Sequence, residues 1–306
     1  MKLRQTERPP FSPRYWLGWL GIGCLWLLGK LPQRAGLALS APLAGLLAVA
    51  MKSRRKIAER NIERCFPELD ADEREDLIRR NFRALARMLL EIAWSWSASS
   101  RRIRRMGRVD GWERVERAQE AGDGVLLITA HLTCLEIGGR LIGETWSGAS
   151  GIYRPLRSPV LEWYQNRSRG QYSCGGISKR DMRSAIRFLR SGGVLWYAPD
   201  QDFGPKQSTF APFFGISAAT LEATVRLVEL TGCRVIPMFP RYDTATLRYT
   251  VQLLPELEDF PSGDLVADLG RVNRLMEEQI RGAPEQYWWI HRRFKTRPEG
   301  EPPFYD

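Results

Sequence analysis

The stretch Gly124-Val125-Leu126-Leu127-Ile128-Thr129-Ala130-His131-Leu132-Thr133-Cys134-Leu135-Glu136 decides the fold. Its near-continuous apolar run reads as a buried strand. The run ends in His131, one of only two histidines in 306 residues. Glu136 follows five positions later, where the polarity pattern predicts the start of a helix. A strand that delivers a histidine to its C-terminal end, at a strand-to-helix junction, places a base where open α/β sheets keep their sites. A histidine that only hydrogen-bonds locally at a strand end would look the same, so the rest of the chain must decide.

Working outward, strands and helices alternate. Upstream, Asp70 and Glu73 resemble a helix-capping arrangement. Ile78, Phe82, Leu85, Leu89 and Ile92 then recur at helical spacing, with Arg79, Arg80, Arg83 and Arg87 expected on a basic outer face. Arg101 to Arg105, beside Trp94 and Trp96, suit a phospholipid headgroup layer or a solvated charge run equally well. Downstream, Gly148 to Tyr153 leads into Arg154-Pro155, and Arg180 to Arg190 reads as a helix. Gly193 to Ala198 is a second buried strand that ends in Pro199-Asp200-Gln201-Asp202. Ala218 to Thr231 is expected to be helical and Gly232 to turn the chain. Cys233 to Phe239 and Tyr249 to Leu253 read as further strands, and Asp264 to Arg281 as a closing helix. This alternation indicates an α/β sheet.

The formal net charge is +11 and the pI about 9.7, which predicts anionic partners. No zinc-finger, RRM or helix-turn-helix signature supports nucleic acid among them. An anionic membrane surface, an acidic protein and a phosphorylated substrate remain. The five cysteines are odd in number, scattered and without a CxxC. That argues against a disulfide framework and a zinc site, and suits a reducing compartment. Two histidines are too few for most metal sites.

Tyr15 to Gly29 carries no charge and three tryptophans. It is short for a span of about 20 residues, though Lys30 can snorkel. A second weakly polar run, Ala35 to Met51, is interrupted by Ser40 and Pro42. No convincing cleavage site follows the first run, so no removed signal peptide is read. Lys2, Arg4, Arg8 and Arg14 precede the apolar region, and Lys52, Arg54, Arg55 and Lys56 follow it. Charge on both sides leaves the orientation of a single span undecided. One tilted span and an interfacial hairpin both fit, with a buried helical hairpin of the globular domain as the third option. The division expected is a membrane anchor over residues 1–50 and a catalytic domain over 51–306.

Three strand ends carry polar residues: His131, the Asp200-Gln201-Asp202 cluster and Arg154. There is no GxSxG elbow, no P-loop and no GxGxxG. The chain does contain Arg60-Asn61-Ile62 running to Cys65-Phe66-Pro67-Glu68, His131 with Glu136, and Gly151-Ile152-Tyr153-Arg154. Trp196-Tyr197-Ala198-Pro199-Asp200-Gln201-Asp202-Phe203-Gly204-Pro205, Phe213-Phe214-Gly215 and Ala219-Thr220 follow. Val235-Ile236-Pro237 comes next, and Pro284-Glu285-Gln286-Tyr287-Trp288-Trp289-Ile290-His291-Arg292-Arg293-Phe294-Lys295 closes the series. Together these resemble the late acyltransferases of lipid A biosynthesis, the lauroyl and myristoyl transferase family. That family sits within the superfamily that uses a His-x4-Asp/Glu motif for acyl transfer to glycerolipids. Glutamate at the second motif position, and YAPDQD in place of an FPEGT-like block, resemble the lipid A branch.

The resemblance implies an α/β fold with a central mixed sheet flanked by helices, as in glycerolipid acyltransferases, and an N-terminal membrane-anchoring helix. It implies an inner-membrane enzyme facing the cytoplasm. Acyl carrier protein would donate the acyl chain, and a hydroxyl on an acyl chain of a lipid A precursor would accept it. No metal or redox cofactor is required. His131 is expected as general base, Glu136 as the carboxylate that holds its ring, and backbone amides of the following helix as oxyanion donors. Arg154, Asp200, Asp202, Arg169 and Arg180 are expected to bind substrate or organise the site. The segment Arg167 to Arg190 holds seven Lys/Arg against Asp181 and is a docking face for an acidic carrier or a solvated helix face. His291 is expected to have an interfacial or packing role, not a catalytic one. Other acceptors (a phospholipid, an ornithine lipid, a glycolipid) and a non-catalytic membrane-peripheral binding role are the alternatives.

Overall fold

The computed structural model describes residues 9–305; Lys2, Arg4 and Arg8 of the N-terminal basic group lie outside them. Five helices come first: α1 (Trp16–Lys30), α2 (Gln33–Ala50), α3 (Lys52–Cys65), α4 (Ala71–Ser97) and α5 (Ser100–Met106). The alternating part runs β1 (Gly107–Asp110), α6 (Glu113–Glu120), β2 (Val125–Ile128), α7 (Leu135–Thr145), β3 (Ala149–Tyr153), α8 (Pro159–Arg169), β4 (Gly176–Ser178), α9 (Met182–Arg190) and β5 (Val194–Tyr197). A hairpin of β6 (Ser208–Phe213) and β7 (Ile216–Leu221) follows, then α10 (Ala223–Thr231), β8 (Arg234–Asp243), β9 (Arg248–Leu253) and α11 (Leu265–Gly282).

The central sheet has seven strands in the order β1-β9-β8-β2-β5-β3-β4. It is mixed: β8 and β9 pair antiparallel, and every other neighbouring pair is parallel. The expected α/β architecture is the one observed. All four residues of β2 are buried, as befits a central strand covered on both faces. Four strands that the sequence reading missed, β1, β4, β6 and β7, are at the sheet edge or in the separate hairpin.

One segment differs in kind. Ala218 to Leu221, expected as the first turn of a helix, is the second arm of the β6–β7 hairpin, and the helix starts at Ala223. The turn at Phe214-Gly215 has positive φ at both residues, which closes a tight antiparallel hairpin. Ala218 and Ala219 are buried within this arm, paired with Ala211 and Phe210, and their helical propensity is overridden.

The capping box forms as expected, with Glu73 N–H donating to Asp70 and Asp70 N–H to Glu73. Arg79, Arg80 and Arg83 are exposed on α4, but Arg87 is not. Its guanidinium is buried, 2.8 Å from Glu91 and 4.0 Å from the Tyr242 ring centroid, while the Tyr249 hydroxyl donates to the same Glu91. Trp94 and Trp96 are likewise turned inward, donating to the Leu31 carbonyl and to Glu136. They are therefore not a headgroup belt.

The N-terminal helices both lie on α4. Gly36 allows Trp94 to approach, since a Cβ there would stand 2.5 Å from its ring. Arg102 donates to the carbonyls of Gly29 and Leu31 and so caps the end of α1. The outward faces carry Trp16, Leu17, Leu20, Leu27, Leu46 and Val49, all exposed. At about 1.5 Å per residue, α1 is about 22 Å long, shorter than a bilayer core of about 30 Å. Among the described residues, α2 is the one helix long and apolar enough to cross a membrane.

Candidate active site

The site is set by strand register. β2 and β5 are parallel neighbours with Ile128 opposite Tyr197. His131 lies three residues beyond Ile128, and Asp200 three beyond Tyr197, so the two arrive together at the C-terminal edge of the sheet. The Asp200 carboxylate meets the histidine twice: Oδ1 is 2.5 Å from Nδ1, and Oδ2 accepts the His131 backbone N–H at 2.9 Å. An ionised carboxylate only accepts, so Nδ1 carries a proton, and Nε2 is the ring nitrogen with no hydrogen-bond partner among the described residues. Burial raises the Asp200 carboxyl's pKa; the His131 ring and backbone N–H override that and hold it at about 2. Asp200 is nearly inaccessible, whereas the His131 side chain is 30% exposed.

The expected Glu136–His131 contact is absent, because the carboxylate on the imidazole is Asp200. Glu136 sits in the first turn of α7, after a loop tied down by the Leu132–Tyr287 bridge and by Thr133 N–H donating to Gln286. That loop carries the chain away before the helix begins, so a spacing of five is not one helical turn. Glu136 instead accepts from Arg169 Nε at 3.0 Å and Nη2 at 2.5 Å, and from the Trp96 indole at 2.6 Å. Burial pushes its carboxyl up, Arg169 pulls it down, and the net shift is downward. This knot joins α4, α7 and the end of α8. The Arg169 Nη1 group takes no part in it. The amides of Leu132, Thr133 and Leu135 have carbonyl partners, so these three do not serve as oxyanion donors.

Between α7 and the sheet lies a cleft of about 330 Å³. His131, Glu136, Arg154 and Arg169 all line it, alongside an apolar wall that includes Leu127, Ile142, Ile152, Trp196 and Met238. Arg154 follows β3, and Lys179 follows β4 at the same level, its N–H bonded to the Tyr153 carbonyl. Burial, Arg154 and Arg180 together lower the proton affinity of Lys179, so the three cations crowd one another. Lys179 also stands 4.2 Å from the Phe203 ring centroid. Arg180 lies near this group but does not line the cleft. Asp202 does not line it either. Its carboxylate accepts from Gly204 N–H and from Thr296 N–H and Oγ1, and so fastens the C-terminal segment. Of the seven cations in the basic segment, Arg169 is occupied in the cleft wall; Arg183 and Arg187 are exposed on α9.

Sequence reasoning missed the C-terminal support. Trp288 N–H donates to the His131 carbonyl, and the Tyr287 hydroxyl lies against Asp200. His291 Nε2 accepts the Asp202 N–H at 3.1 Å, a contact that the sequence does not reveal. Burial lowers its pKa to about 4 and keeps it neutral. Both histidines thus sit around the Asp200–Asp202 turn. The signal available was the density of polar and aromatic residues in Tyr287–Lys295.

Comparison with known proteins identifies the family. The family model described as bacterial lipid A biosynthesis acyltransferase matches residues 6–296. The lipid A biosynthesis lauroyltransferase of Escherichia coli (strain K12) is 39% identical, covering 98% of this chain and 100% of that protein. The palmitoleoyltransferase of the same strain is 37% identical, covering 98% and 97%. A lipid A biosynthesis acyltransferase of Haemophilus influenzae is 33% identical, covering 100% and 99%. Among solved structures, the 1-acyl-sn-glycerophosphate acyltransferase of Thermotoga maritima covers 81% of this chain and 97% of its own, at 13% identity and a TM-score of 0.40, too distant to add to the assignment. With a histidine–carboxylate pair at a strand end, an apolar cleft beside it and a family match over nearly its whole length, the chain belongs to the bacterial lipid A biosynthesis acyltransferase family and is an acyltransferase.

Proposed function

We propose that this enzyme moves a fatty acyl chain from acyl carrier protein to a hydroxyl on an acyl chain of a lipid A precursor, at the cytoplasmic face of the inner membrane. The observation that carries this reading is the His131–Asp200 pair, whose free Nε2 opens on the apolar cleft. A hydroxyl is a poor nucleophile until a base takes its proton as attack begins. His131 Nε2 takes that proton. The hydroxyl oxygen bonds to the thioester carbonyl carbon, the C–S bond breaks, and the imidazolium returns its proton to the leaving thiolate. Asp200 fixes the ring tautomer and stabilises the imidazolium. Arg169, held by Glu136, supplies Nη1 to the carbonyl oxygen as negative charge develops there.

The acyl chain lies in the cleft between α7 and the sheet. Arg154, Lys179 and Arg180 face the phosphates of the substrates, which relieves their mutual repulsion. Residues 1–50 anchor the protein through the exposed faces of α1 and α2, keeping the site beside a lipid acceptor. Exposed Arg183 and Arg187 suit an acidic carrier.

Purified protein in detergent, given a long-chain acyl carrier protein and a lipid A precursor with free acyl-chain hydroxyls, should yield a product heavier by one ester-linked chain. The mass spectrum reads it directly. Transfer to a phospholipid, with none to the lipid A precursor, would overturn the acceptor assignment. Transfer from acyl-CoA alone would overturn the donor assignment.

A further inference from the structure

One point in the cleft wall is bare. Gly151 on β3 pairs in register with Trp196 on β5, so a side chain at 151 would stand on the same face as the indole. That indole reaches across to α7: a Cβ at Gly139 would lie 2.3 Å from its ring. At Gly143, one turn further along α7, a Cβ would lie 2.5 Å from the Tyr172 ring. Those two glycines are required for close packing. Gly151 is not: a Cβ there meets nothing nearer than 3.9 Å, and both of its nearest atoms belong to Trp196. It occupies a regular strand position, so the backbone does not demand glycine either. Its missing side chain leaves room in a cleft of about 330 Å³, which is at the small end for a ligand pocket.

The depth of this point is set by the register. Gly151 is level with Trp196, which is level with Leu127, four residues before His131. At about 3.3 Å per residue that is roughly 13 Å down the sheet from the reacting histidine. An acyl chain whose carbonyl sits at His131 would reach this depth with its distal methylenes.

We infer that Gly151 is a specificity-determining residue: the space left by its absent side chain accommodates the far end of the acyl chain and sets the longest chain the enzyme takes readily. The inference rests on the reading that the acyl chain lies in this cleft. Each methylene denied burial costs roughly fourfold in binding.

The test is a donor series on acyl carrier protein, from octanoyl to palmitoyl, with Gly151→Ala and Gly151→Val beside the unmodified enzyme. The ratio of kcat/KM for short over long donors should rise roughly fourfold in Gly151→Ala and further in Gly151→Val, and the optimum should move to shorter chains. The melting temperature of Gly151→Ala should not fall. An unshifted profile, or the same fractional loss at every chain length, overturns the inference in an enzyme that still transfers acyl groups. Unmodified enzyme that transfers none of the chains overturns the functional reading, and this inference with it.

Discussion

Two carboxylates stand near this cleft, and they do different work. Asp200 comes from a strand end, is nearly inaccessible, and touches the imidazole at both its ring and its backbone N–H. Glu136 comes from the first turn of a helix, keeps 14% of its side chain exposed, and is saturated by an arginine and an indole. The first holds an imidazole in one orientation. The second ties three helices together through Arg169 Nε and Nη2, and Nη1 has no hydrogen-bond partner among the described residues. Nearness in sequence to His131 therefore misidentifies its partner: Asp200 is 69 positions away, Glu136 only five.

The sharpest way to break this distinction is kinetic. His131→Ala should cost about 10²–10⁴ in kcat, and Asp200→Asn a loss in the same range, with both proteins folded. Because the two act as a unit, the double variant should be no worse than His131→Ala alone. If instead Glu136→Gln, and not Asp200→Asn, is non-additive with His131→Ala, the roles have been exchanged.

A smaller effect tests the brace. Arg169→Met strands a largely buried Glu136 carboxylate and should cost about 2–4 kcal/mol of stability, below the figure for a fully buried pair because the cleft admits water. Pairing it with Glu136→Gln should recover part of that loss in a denaturant titration in detergent. Unchanged stability in Arg169→Met would show that the knot does not hold the helices.

The smallest effect is in pH. The folded pKa of His291, about 4, lies below the unfolded value of 6.5. Between the two the unfolded chain binds a proton that the folded chain refuses, so stability falls as pH drops through that window. One unit below 6.5 the loss should be about 1.4 kcal/mol, and His291→Gln should flatten the slope. Asp200, held at about 2, contributes stability above 3.8 and loses it only as pH falls toward 2. A stability profile flat from pH 6.5 to 5 in the unmodified protein would contradict the buried neutral state of His291.

Much of the sheet could be read in the sequence because its strands are uniformly apolar, as in Val125–Ile128 and Val194–Tyr197, and end in polar residues. That placed His131, Arg154 and Asp200 at one edge. Which carboxylate meets His131 could not be read, because it depends on β2 and β5 being neighbours in a given register. Arg87 was misplaced, and the setting of Trp94 left open, for a related reason. Amphipathic spacing says which side of a helix faces inward, but not that α2 covers Trp94 or that Tyr242 and Tyr249 receive Arg87. Ala218–Leu221 misled because alanines followed by a helical run carry no strand signal of their own; the antiparallel partner supplies it.

The stitching of the His131 loop to Gln286, Tyr287 and Trp288 also has a bearing on synthesis. Cys134 and Gln286, 152 positions apart, are in contact, and Trp288 secures the histidine itself. A ribosome making this protein exposes the apolar N-terminal helices first and these ties almost last. Chains normally acquire such distant contacts late. The apolar helices are therefore made long before the centre is assembled, and a chain stopped before Gln286 would carry them and the histidine but lack the ties that hold that histidine in place.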